Sequence, residues 1–283
     1  MKSLRIVHHT RYAYSEKVQL NPHAIFMHPL QRDHFELKEY DLKISPGPVD
    51  QQLRFNIDGN PHHLAWFEGE TDRLEIVIEF SAELRHFNPF AFILDHQFTE
   101  RFQQNLNTFY TPEEKQLLYA SLQYEPKEEI KNLAHIFFHE NENPLTFLNR
   151  ILHYIHQEWE HIVREDDGLW LPIKTLREKI GSCRDLSWML IQMLRSLGLA
   201  AKFVSGYAYN PELEEGHELH AWVEVYLPGA GWVGIDPSLG LFTDEHYIPL
   251  ASSAIPKLTL PVVGTYGGTA KSTLESKVYI TPE

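Results

Sequence analysis

The sequence predicts an α+β protein in two parts. An antiparallel β-sandwich or barrel-like region comes first, then a core in which a cysteine-bearing helix packs on an antiparallel sheet. Three observations predict it. Apolar and polar residues alternate with period two through most of the chain up to about residue 85. Two proline-led helix starts follow, at Thr111-Pro112 and Asn143-Pro144. A helix opening at Ser182-Cys183 is then succeeded by strand-like stretches separated by a polar loop and a glycine-rich turn. The expected division is a β-rich N-terminal region over 1–110 and a core over 111–283 that includes the C-terminal strands.

In chain order, Tyr40, Leu42 and Ile44 alternate with Asp41 and Lys43, and Leu53, Phe55 and Ile57 with Arg54 and Asn56. Leu74, Ile76, Ile78 and Phe80 stand against Glu75, Val77 and Glu79. These read as half-buried antiparallel strands, with Asp58-Gly59-Asn60 as a turn between two of them. Asn88-Pro89 with Phe87, Phe90 and Phe92 forms a connecting segment apolar enough to pack between lobes. Leu145, Leu148, Leu152, Ile155 and Trp159 make one helical stripe that reads as core. Beyond Pro237 the prolines at 249, 256 and 261 limit long elements, leaving strand-like Leu258 to Val263 and Leu274 to Ile280. Gly264-Thr265-Tyr266-Gly267-Gly268 lacks phosphate-loop or dinucleotide spacing and reads as a hairpin turn.

Cys183 is the single cysteine, so an internal disulfide and a multi-thiolate metal site are both excluded, and packing or reactivity is left. Ser182 is a good N-cap, and Leu186, Leu190, Leu194 and Leu197 repeat at helical spacing until Gly198. That places Cys183 in the first turn, where free N–H groups and the macrodipole favour a thiolate and offer donors to an oxyanion. Ala201 to Tyr207 reads as a strand, a polar loop runs from Asn210 to Gly216, and Leu219 to Leu227 reads as the next strand. The turn Pro228-Gly229-Ala230-Gly231 leads into Trp232 to Asp236. One thiol, one imidazole (His220) and one carboxylate (Asp236) thus fall at the edges of different elements, as a nucleophile, its base and the base's orienter. This requires an even register in the hairpin, with Tyr226 across from Trp232, so that His220 lies diagonal to Asp236 on one face.

Gly181-Ser-Cys-Arg-Asp185, the helix end Leu194-Arg-Ser-Leu-Gly-Leu-Ala-Ala201, Val204-Ser-Gly-Tyr207, His220-Ala-Trp-Val-Glu-Val-Tyr226 and Gly231-Trp-Val-Gly-Ile-Asp-Pro-Ser238 resemble the bacterial transglutaminase-like proteins of the papain-like Cys-His-Asp superfamily. The likeness continues through Asp244 to Ala251 and Val263 to Gly268, and His9-Thr10-Arg11-Tyr12-Ala13-Tyr14 is similar to the family's N-terminal β-region. It covers most of the chain and is weakest from about 95 to 145. The resemblance implies a papain/transglutaminase-like core, with Cys183 as nucleophile, His220 as general acid/base and Asp236 as orienting carboxylate. His217 is the rival imidazole, outside the His-Ala-Trp motif. Asp185 matches an often acidic position; it cannot face the thiol and supplies first-turn charge. Arg184 stands where glutamine is expected, and Ser187-Trp188 replaces a smaller or histidine-containing pair, so specificity does not transfer from the family.

Lys plus Arg total 25 against 39 Asp plus Glu, a formal charge of −14 that argues against nonspecific binding to nucleic acid or anionic membrane. The N-terminus lacks a signal-like apolar run and no later stretch spans a bilayer, which with the unpaired thiol favours a reducing cytoplasm. His8-His9, His62-His63 and the helical pair His153 and His156 show no third convergent ligand, so no metal or other cofactor is expected. The implied function is attack on peptide or isopeptide amides through a thioester, more hydrolytic (cysteine protease or amidase) than cross-linking. The alternative is a non-catalytic peptide-docking module in which the N-terminal β-region binds a strand at an edge.

Overall fold

The computed structural model describes residues 2–104, 108–125, 127–164, 168–212 and 218–283. The N-terminal part comprises β1 (Lys2–Gln19), β2 (His23–Ile25), β3 (Phe35–Ser45), β4 (Asp50–Phe55), β5 (Pro61–Trp66) and β6 (Glu70–Leu84). Helices α1 (His96–Gln103), α2 (Pro112–Leu117), α3 (Tyr119–Leu122), α4 (Glu128–Phe137) and α5 (Pro144–Glu158) follow. Then come β7 (Glu160–His161), α6 (Pro172–Glu178), β8 (Ile180–Gly181) and α7 (Cys183–Ser196). The core sheet is drawn from β9 (Ala201–Ala208), β10 (Leu219–Leu227), β11 (Gly231–Asp236), β12 (Leu241–Phe242) and β13 (Tyr247–Ser253). The chain closes through β14 (Val262–Val263) and β15 (Ser272–Pro282).

Two antiparallel sheets, ordered β15-β1-β6-β3 and β14-β2-β5-β4, build the β-rich region. Alternation sends Leu4 and Ile6 of β1 and Leu74, Ile76, Ile78 and Phe80 of β6 inward, where all are buried. Their core is continuous with Tyr207, Ile248 and Leu250 on the back of the core sheet, so the two parts share packing. Polar ties run along the same junction. His8 joins Tyr207 at 2.8 Å, and Arg32 donates to Glu224 at 2.9 Å. Asn60 exchanges two bonds with Ser252, both at 3.0 Å.

The second core lies between the helices and the five-stranded antiparallel sheet β12-β11-β10-β9-β13. Helix α7 buries Leu186, Met189, Leu190, Met193 and Leu194 against Ala221, Val223, Val225 and Leu227, the odd positions of β10. The even-numbered Trp222 turns the other way, onto Val204 and Tyr247. At the far end of α7, the buried Arg195 donates to the carbonyls of Ala201, Gln123 and Ala254, tying the helix to the sheet. Both proline-led starts form helices: Thr111 caps α2 in a capping box, and the Asn143 side chain accepts from Leu145 N–H at the head of α5.

Three expectations are corrected. The C-terminal strands do not belong to the core sheet; β15 pairs with β1, placing Ile280 opposite Ile6, and β14 pairs with β2. Residues 258–263 are not one strand, because Pro256 starts a 3-10 turn over Pro256–Thr259 and only β14 is extended. Around β4 the apolar residues face out, with Leu53, Phe55 and Ile57 at 41%, 69% and 94% exposure, because β4 is an edge strand with no layer above that face. The connecting segment does lie between the parts: Phe92 packs on the core, and Phe87 and Phe90, though exposed on one side, rest on His34 of the β-rich region and Phe242 of the core.

Candidate active site

The parity required of the hairpin is the one observed: Tyr226 pairs with Trp232 and Val223 with Ile235. Continued toward the start of β10, that register sets His220 diagonal to Asp236. The His220 Nε2–H donates to Asp236 Oδ2 at 2.7 Å. This leaves Nδ1 as the ring atom available to the thiol of Cys183, whose pKa His220 lowers. Ser187, one turn into α7 and fully buried, donates to the Ala221 carbonyl at 3.2 Å and so holds the first turn beside the histidine strand.

Asp236 is completely buried and heavily coordinated. Its Oδ1 accepts from Ser238 N–H at 2.9 Å, Ser238 Oγ at 2.6 Å and Leu239 N–H at 3.3 Å. Its Oδ2 accepts from His220 and from the Tyr247 hydroxyl at 2.8 Å. Burial alone raises its pKa, yet the His220 charge and these donors outweigh burial and hold it below the usual carboxylate value. The supporting groups are themselves anchored. His34 of the β-rich region donates to the Tyr247 carbonyl at 2.9 Å, and His156 of α5 donates to the Ser238 carbonyl at 2.9 Å.

Electrostatics couple the three groups. Burial lowers the His220 pKa, but the carboxylate of Asp236, the sulfur of Cys183 and the bonds to both raise it well above the ordinary imidazole value. Burial pushes the Cys183 thiol up, and the His220 charge with hydrogen bonds from His161 and His220 brings it down to about 6. The favoured state is therefore a thiolate beside an imidazolium, the form in which sulfur is nucleophilic.

Asp185 does more than place charge in the first turn. It accepts from Ser182 N–H at 3.0 Å and Ser182 Oγ at 2.7 Å, fixing the turn that presents Cys183. Arg164 grips it at 2.8 and 3.0 Å through two guanidinium nitrogens, and Trp170 N–H adds a bond at 2.8 Å. Gly181 permits this approach, since a Cβ there would sit 2.9 Å from the Asp185 Cβ. Arg184 is half-buried and donates to the Arg164 carbonyl at 3.2 Å, so it is part of the same wall. His217 lies outside the described residues, as does most of the polar loop before β10.

His161 is the residue that motif reading misses. It stands outside the family-like stretches, and only the short parallel pairing of β7 with β8 carries its ring to the sulfur. The Trp170 ring lies between Arg164 and Lys174, and Trp159 is buried in the helical core. Among the described residues no group of three or more His, Cys, Asp or Glu side chains is arranged to hold a metal ion.

Two family models match the chain. The bacterial transglutaminase-like N-terminal region matches residues 4–83, and the transglutaminase-like superfamily matches residues 131–237. The uncharacterized protein YebA of Bacillus subtilis (strain 168) is 24% identical over 203 residues, a match covering 63% of this chain and 27% of YebA. The uncharacterized protein ML0607 of Mycobacterium leprae (strain TN) is 28% identical over 115 residues, covering 38% of this chain and 40% of ML0607. The chain thus spans well under half the length of these relatives. Its fold is shared with a solved structure described as a candidate cysteine protease from Cytophaga hutchinsonii, at a TM-score of 0.73 and 18% identity, over 99% of this chain and 90% of that one.

Proposed function

This chain belongs to the bacterial transglutaminase-like family, and on that premise we propose that it is a cysteine enzyme of acyl transfer that hydrolyses peptide or isopeptide amides. The observation that carries the reading is the Cys183 thiol, lowered to about 6 beside an imidazole whose far nitrogen is held by a buried carboxylate. Cys183 is the nucleophile, His220 the general acid/base and Asp236 the group that orients and charges the ring.

In the proposed cycle the Cys183 thiolate attacks the amide carbon and the carbonyl π pair moves to oxygen, where the Cys183 backbone N–H is a donor. The pair returns, the C–N bond breaks, and the His220 imidazolium gives its proton to the departing amine. His220 then takes a proton from water as water attacks the thioester, releasing acid and regenerating the ion pair. Transfer to a second amine would require water to be kept from the thioester. His161, next to the cysteine turn across the β7–β8 pairing, is exposed, and that supports access of water.

The reading is tested by trapping the thioester. The protein is mixed with a panel of peptide amides, quenched in acid and weighed intact, with and without an added primary alkylamine. The expected result is an acyl adduct on Cys183 that is absent from Cys183→Ala and resolves to free acid even with amine present. Resolution chiefly to the amine-bearing product would replace hydrolysis by transfer. No adduct and no turnover across the panel would remove the enzyme reading in favour of peptide docking, for which β4 offers an exposed edge.

A further inference from the structure

We infer that His161 is a further catalytic residue of this centre, whose ring N–H holds the Cys183 sulfur at rest and is the second donor to the oxyanion formed on attack. The inference rests on the acyl-transfer reading above. It begins from backbone geometry. Strands β7 and β8 pair in parallel, Glu160 with Ile180 and His161 with Gly181, and the bonds Glu160 N–H to Lys179 O at 2.9 Å and Ile162 N–H to Gly181 O at 3.0 Å lock that register. Residues paired across a ladder project to the same side, and side chains two apart in extended chain return to one side. Ser182 is extended, with φ −75° and ψ 169°, so Cys183 comes back to the side on which His161 projects. The outcome places His161 beside the cysteine turn, where it lowers the thiol pKa while remaining exposed.

The sulfur therefore lies between two imidazoles with different partners. His220 is committed to Asp236 through Nε2 and is the ring placed to give a proton to the leaving amine. With the triad's proton transfer already carried by His220, the role assigned to His161 is donation to the reacting atoms. As the sulfur lone pair forms the S–C bond, negative charge leaves sulfur and appears on the carbonyl oxygen, which is bonded to the same carbon. A donor poised at sulfur loses its acceptor and gains a new one. No proton moves in that step. The oxyanion then has the Cys183 backbone N–H on the helix side and the His161 N–H on the β7 side, the two-donor arrangement that tetrahedral intermediates need.

The test compares His161→Phe, which keeps ring bulk without the donor, with His161→Gln, which keeps an N–H, and with His220→Ala. Melting curves come first, and because His161 is exposed both of its variants should fold. Turnover is measured on the peptide amide that gives the adduct, and iodoacetamide alkylation of Cys183 is followed against pH. His161→Phe should lower kcat about 10²-fold with KM within about threefold, and should move the alkylation midpoint upward. His161→Gln should recover at least about tenfold of that kcat. The inference is overturned if His161→Phe keeps kcat and the midpoint near wild type, or if His161→Gln is no better than His161→Phe. If His220→Ala still silences turnover in those cases, only this inference falls. If neither histidine matters, the acyl-transfer reading falls with it.

Discussion

His220→Ala should reduce kcat/KM for amide cleavage by about 10⁴-fold, and Cys183→Ala should abolish the covalent intermediate altogether. Two losses combine in the histidine variant. Without the imidazolium charge the thiol returns toward the ordinary cysteine range of about 8.5, so the thiolate fraction at pH 7 falls roughly 30-fold. Without the proton donor the amine must leave as a poor anion, and general acid catalysis is typically worth about 10²–10⁴-fold. Asp236→Asn should approach the same loss while leaving the fold intact, because the amide oxygen still accepts from Ser238 and Leu239, but the NH2 that replaces Oδ2 faces Tyr247 and His220 and the ring loses the charge that holds its proton. Steady-state kinetics on the trapped substrate decide it. A His220→Ala enzyme within tenfold of wild type would mean that another group carries the proton.

The second large effect is on stability. Asp185→Ala should cost about 3–5 kcal/mol, because it removes the buried carboxylate that two Arg164 nitrogens grip and orphans the N–H groups of Trp170 and Ser182. For a chain of this size that is a fall in melting temperature of roughly 10 °C. The pair is sealed, with side-chain exposures of 5% for Arg164 and 0% for Asp185, so salt should screen it little. Replacing both partners, as Arg164→Met with Asp185→Leu, should cost less than either single change, since neither member of the pair is then left without the other. Burial raises the Asp185 pKa, but Arg164, Trp170 and Ser182 together bring it below the usual value. The sign follows: this stabilisation is full above the ordinary carboxylate range and is lost as pH falls through the folded-state value. Calorimetry at pH 7 checks the size, and a single-variant loss under about 1 kcal/mol would remove the ion pair as a support of the cysteine turn.

What the sequence made legible was local or carried by short hairpins. The cap at Ser182, the leucine stripe of α7 and the proline-led helices all depend on neighbours within a few positions. The parity linking His220 to Asp236 is a hairpin property, readable because a short turn ties the strands. What escaped depends on distant pairing. The partner of β15 is β1, at the opposite end of the chain, and alternation in Leu274 to Ile280 says that a strand exists without saying where it lies. The ring of His161 reaches the sulfur through a two-rung parallel ladder between segments separated by the loop and helix α6. No residue pattern announces so short a pairing. The exposed apolar face of β4 was misread for a related reason: alternation marks two faces but not which one finds a partner. Arg164 was invisible as the partner of Asp185, because nothing local to either residue records that they meet.

The centre is most directly tested by the rate of Cys183 alkylation with iodoacetamide as a function of pH, in wild type and in His220→Ala. A midpoint near 6 is expected for wild type, moving toward about 8.5 in the variant. A wild-type midpoint already near 8.5, unchanged when His220 is removed, would contradict a thiolate held by that imidazole.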